Sequence, residues 1–85
     1  MSPSLTNYLA AASAAQRIKD VALLAHYAGR WSESAMAWHQ IADTWRLLAR
    51  PADAENCVRE SRMSHLTSQV FLARIGELAP SAEAA

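Results

Sequence analysis

Cysteine occurs once in this chain of 85 residues, at Cys57. A lone thiol excludes an intrachain disulfide, and so small a domain without a disulfide framework is expected in a reducing compartment. Glycine occurs twice and proline three times, so little interrupts helices, and much of the hydrophobic 52% is alanine, the best helix former. β-Branched residues are scarce, which argues against sheet. Neither charge is in excess: eight Lys and Arg face eight Asp and Glu. That balance argues against a mainly electrostatic nucleic-acid binder. No apolar run approaches the ~20 residues that span a membrane. The mildly apolar stretch 5–15 has no preceding Lys or Arg and contains Thr6, Asn7 and Ser13, a poor signal peptide. Cytoplasm is therefore the expected location.

What is present points to one all-α domain, residues 1–80, with a frayed tail at 81–85. At this length a monomer buries only about 60–65% of its unfolded surface, so the core is thin and a partner would help. Ser2-Pro3 can open a first helix, 3–28, with a capping hydroxyl and a proline where no N–H is needed. Gly29-Arg30 can end it, since glycine tolerates the left-handed C-cap. Ser32 and Glu33 suit the start of a second helix, 32–49. Arg50-Pro51 breaks that helix, and a third runs 52–78 with Asp53 and Glu55 in its first turn.

Leu5, Tyr8, Leu9, Ala12 and Ala15 carry the first helix's apolar spacing, and Ile18, Val21, Ala22, Ala25 and Ala28 continue it in a shifted phase. The shift near residues 16–20 predicts a bend. Ser34, Ala35, Trp38, Ile41, Ala42, Trp45 and Leu48 form the second helix's stripe. In the third, Ala54, Cys57, Val58 and Ser61 mark the inner side. Leu66, Val70, Phe71, Leu72, Ala73, Ile75 and Leu78 then run around more than one face, which calls for more than one neighbour. Short turns favour antiparallel neighbours. The expected architecture is a three-helix bundle or a helical hairpin plus a long third helix.

The strongest local pattern is residues 27–38, Tyr-Ala-Gly-Arg-Trp-Ser-Glu-Ser-Ala-Met-Ala-Trp. Gly29 would turn, Trp31 would plug the gap between helices, and small Ser34 and Ala35 would let backbones approach. This resembles a tetratricopeptide hairpin. It occurs once, and a solenoid needs about three. Gly29, Trp31, Glu33, Ala35 and Trp38 also resemble two families of small bacterial regulators: the ANR family, negative regulators of AraC-type activators, and the PerC-like family. The likeness spans Tyr8 to Arg62, with Asn56, Cys57, Arg59 and Arg62 loosely following the downstream pattern and a second Trp missing. It implies a small regulator that contacts another protein, with inhibition of a transcription regulator one form and an anti-host or anti-defence inhibitor from a mobile element another.

No chemistry-bearing constellation stands out. His26, His39, His65 and Cys57 lack metal-ligand spacing, no base is placed for a catalytic thiol, and no phosphate loop occurs. No cofactor, metal or enzymatic activity is expected. A helix-turn-helix with its break at Gly29 would be the DNA-binding alternative, but a second helix opening Ser32-Glu33-Ser34-Ala35-Met36-Ala37 offers bases no donor-rich edge. The candidate partner-binding residues are Trp45, Arg46, Arg59, Arg62, Leu66, Val70 and Phe71, with a homodimer through the third helix as a further candidate. The Trp31, Trp38 and Trp45 stripe is otherwise assigned to the core.

Overall fold

Two oxygen-bearing side chains start the first two helices. Ser2 Oγ accepts from the Leu5 N–H at 3.3 Å, and Asp20 Oδ1 accepts from Ala22 N at 3.0 Å and Leu23 N at 3.3 Å. Each satisfies donors that a helix N-terminus leaves unpaired. In the computed structural model, which describes residues 2–79, the helices are α1 (Pro3–Ala15), α2 (Val21–Leu47) and α3 (Pro51–Leu78). The described residues are all-α, and the tail expected at 81–85 lies outside them.

The breaks are not all where the sequence pattern put them. α2 runs without interruption through Gly29, Trp31 and Ser34. The expected hairpin at Gly29 is therefore absent, and with it the second helix of a helix-turn-helix. The physical reason is that one glycine costs a helix interior only about 1 kcal/mol against alanine. Nothing else nearby opposes the helix, and Gly29 has no positive φ. The bend predicted near 16–20 is instead the real α1–α2 break, stopped by Asp20 as the next cap.

The α2–α3 turn lies at Leu48–Arg50. Arg50 N donates to Trp45 O at 2.9 Å and Ala49 N to Arg46 O at 3.0 Å, the paired bonds of a Schellman ending. Ala49 holds the left-handed position, φ 56°. Pro51 then stands at the start of α3. Arg50 braces the corner: its guanidinium sits 5.5 Å from the centre of the Trp45 ring and 2.8 Å from Asp53 Oδ2.

α2 and α3 form the main packed pair, an antiparallel hairpin. Its seam follows alternating steps of three and four. On α2 the line is Leu24, Ala28, Trp31, Ala35, Trp38, Ala42 and Trp45, every member buried or half-buried. On α3 it is Ala54, Cys57, Ser61, Ser64, Ser68, Phe71, Ile75 and Leu78, again all buried or half-buried. That is the heptad spacing of a coiled-coil seam. Small residues dominate, so the backbones come close. Ser68 Oγ donates to Ala28 O at 2.8 Å and Ser61 Oγ to Ala35 O at 2.7 Å, both across the helices. Ser34 and Ser64 share a third hydroxyl contact at 3.4 Å. The small Ser34 and Ala35 do permit close approach, but towards α3.

α1 runs alongside α3 in the same direction. Ser4 Oγ donates to Glu60 Oε1 at 3.3 Å near one end. At the other, Arg74 Nε donates to Ile18 O at 3.3 Å and Nη2 to Gln16 O at 3.4 Å. Ala11 and Ala15 of α1 meet Leu24, Ala28 and Phe71 in the core, with Ile18, Trp31, Val70, Ile75 and Leu78 packed around them. Leu5 and Leu9, expected inside, are exposed; the buried line of α1 passes through Ala11 and Ala15, leaving the leucines beside it.

Candidate functional site

The apolar excess of α3 finds its second neighbour in α1. Phe71 is only 4% exposed and its ring lies 5.5 Å from Tyr27. Phe71 is thus a core residue and not a contact residue for a partner. Val70 is half-buried against the same cluster. Both lie in or beside the seam, and the sequence pattern did not show that α1 would cover them.

α1 begins beside Glu60. The stretch 51–59 of α3 and the part of α2 beside it carry no third helix. There the seam buries Ala35, Ala42, Ala54 and Cys57, all small. On one flank of this hairpin an open groove of about 630 Å³ runs between α2 and α3. Ala35, Met36, Val58 and Leu66 supply its apolar lining, and His39, Arg62 and His65 its polar rim. Met36 is 63% exposed and Leu66 is 47% exposed. No α1 residue and none of the three tryptophans lines it.

The predicted contact residues therefore separate. Leu66 and Arg62 line the groove. Arg59 faces a neighbouring hollow with Ser4, Asn56, Glu60 and Met63, to which Arg62 and Leu66 also contribute. Arg59 approaches Glu55 at 3.9 Å, and Arg46 holds Asp43 at 2.7 Å near the α2–α3 turn. Arg62 has no ion-pair partner among the described residues. Arg46 stands several turns from Arg62 along the hairpin, so the arginines make no single patch. Trp45 is half-buried and covered in part by Arg50. Trp31 packs on the core and Trp38 is half-buried. Met36, Val58, His39 and His65 were missed as site residues. The signal was available: Met36 and Val58 sit one position off the seam, on the same flank of both helices.

Among the described residues, no group of three or more His, Cys, Asp and Glu is placed to hold a metal ion. No described helix is long and apolar enough to cross a membrane. What the groove offers is shape and apolar surface, with basic and imidazole groups at its edge. No protein-family model, no curated protein and no solved structure matches this chain.

Proposed function

We propose that this chain is a small non-enzymatic regulator that acts by binding another protein, with the α2–α3 groove as its contact face. The observation that supports it is the groove itself: exposed Met36 and Leu66 flank an apolar trough between two antiparallel helices. Such a trough takes the apolar face of an amphipathic helix, and Arg62 at the rim favours a partner bearing a carboxylate. The pattern Gly29, Trp31, Glu33, Ala35 and Trp38 adds the resemblance to small bacterial regulators, which favours a transcription regulator as target. An inhibitor from a mobile element would use the same face on a different target.

The test is affinity capture with the intact chain beside its Met36→Lys and Leu9→Lys variants. Leu9 lies on α1, 49% exposed and away from the groove. A specific partner retained by Leu9→Lys and lost with Met36→Lys is the expected result. Partners indifferent to Met36→Lys would overturn the assignment of the groove.

A further inference from the structure

The α3 side of the groove face carries a charge order that matches itself. Steps of three and four extend the face along α3 through Pro51, Glu55, Val58, Arg62 and Leu66, and along α2 through Met36, Gln40, Asp43 and Leu47. All of these except the half-buried Val58 are exposed, and Leu47 is 88% exposed. The acidic residues lie towards the turn, Glu55 with Arg59 at 3.9 Å and Asp43 with Arg46 at 2.7 Å. Arg62, with no ion-pair partner among the described residues, lies on the other side of Val58, and apolar residues stand at both ends.

We infer that the partner the groove takes in the free protein is a second copy of this chain, packed face to face about a two-fold axis passing beside Val58. The inference rests on the protein-binding role proposed for the groove. Such an axis lies in the interface and reverses helix direction, so α3 packs antiparallel on the partner's α3. Val58 then meets Val58. Three positions before it stands Glu55 and four after it Arg62, so each Arg62 meets the other copy's Glu55, twice per dimer. Leu66 falls against the other copy's Pro51. Met36 and Leu47 of α2 lie over the other copy's α2. The result is a four-helix bundle built from the half of the hairpin that α1 leaves uncovered, where the fully buried seam residues are small and Trp38 and Trp45 are half-buried. An isologous contact of this kind is self-complementary by construction. A different protein entering the groove would displace the second copy, so dimerisation and partner binding would compete.

Charge reversal in trans tests this. In a homodimer, Arg62→Glu sets a second carboxylate against each Glu55, and Glu55→Arg sets a second guanidinium against each Arg62. Each variant alone repels itself at two places. In the mixed dimer, one such place joins the two native residues and the other joins the two replacements, so both pair opposite charges. With the full chain of 9.3 kDa, sedimentation velocity at low salt should show twice the monomer mass for the wild type by about 100 µM. Each single reversal should weaken dimerisation about tenfold, Met36→Lys should abolish it, and Leu9→Lys should leave it unchanged. Native mass spectrometry of the equimolar mixture, one variant tagged, should show a heterodimer as tight as the wild-type dimer. A wild type that stays monomeric overturns the inference, as does a dimer indifferent to Arg62→Glu or a mixture that associates no better than its parts. A monomeric wild type whose partner capture still depends on Met36 would remove the second copy alone. Loss of Met36 dependence in both assays would remove the groove as well.

Discussion

Ser68 on α3 donates its hydroxyl to the backbone oxygen of Ala28 on α2, 2.8 Å away. That oxygen lies inside a regular helix, so the donor can reach it only if the two helices touch nearly backbone to backbone. One heptad along, Ser61 repeats the contact on Ala35 at 2.7 Å. One heptad further the register brings Ala42 beside Ala54, both buried. The hairpin is held by a ladder of small residues that lets the two helices approach closely.

Volume is therefore the sensitive quantity in this seam. Ser61→Ala removes one hydrogen bond and should cost about 1 kcal/mol. Ser61→Leu must push the helices apart, and overpacking of this kind adds about 1–3 kcal/mol. Urea unfolding of the two variants should separate them in that order. Equal losses would mean that the hydroxyl matters and the spacing does not.

Gly29→Ala should stabilise the protein by about 0.5–1 kcal/mol. Gly29 lies inside α2, and a Cβ there meets nothing within 4 Å. Thermal unfolding gives the sign directly, since about 1 kcal/mol moves a domain of this size by about 4–8 °C. Destabilisation would restore the turn that the sequence pattern predicted at this position.

Ala49 is the reciprocal case. Its φ of 56° puts an L-residue with a Cβ into the left-handed region, at a cost of about 1–2 kcal/mol that glycine avoids. Ala49→Gly should raise stability by about 1 kcal/mol after the entropy glycine adds to the unfolded chain. Equilibrium denaturation measures it, and a lowered midpoint would contradict the observed turn geometry.

These two positions show why part of the fold was legible and part was not. Composition was enough for an all-α chain, and proline placement for the start of α1 at Pro3 and the end of α2 before Pro51. Gly29 was misassigned because a glycine followed by a tryptophan looks like a turn, while the actual turn residue is an alanine with no special signal. Asp20 before an apolar run did carry an N-cap signal, and the phase shift at 16–20 marked the same break. The inner side of α3 was legible through Ala54, Cys57 and Ser61, but its continuation was hidden because Ser64 and Ser68 count as polar, yet their hydroxyls are spent on hydrogen bonds across the hairpin. Of the candidate site, Arg62 and Leu66 were visible in sequence. Phe71 was assigned to a partner because the placement of α1 depends on tertiary contacts that periodicity does not encode.

Arg74 decides how firmly α1 is attached. Its side chain is 14% exposed, it donates to Ile18 O and Gln16 O just beyond the end of α1, and it holds Glu77 at 3.0 Å. A cation beside unpaired carbonyls at a helix C-terminus is favourable, and bonds from a charged donor contribute more than neutral ones. Arg74→Met keeps much of the apolar stem and removes the fork. The expected loss is about 1–2 kcal/mol, and it should be local: hydrogen exchange should speed up across residues 3–15, while the seam from Ala28 to Ala42 keeps its protection, because the Ser61 and Ser68 contacts do not pass through α1. Arg74→Lys should recover only part of the loss, since one ammonium cannot span two carbonyls and a carboxylate in the same planar geometry. Uniform loss of protection across α2 and α3 would show instead that α1 and the hairpin unfold as one unit.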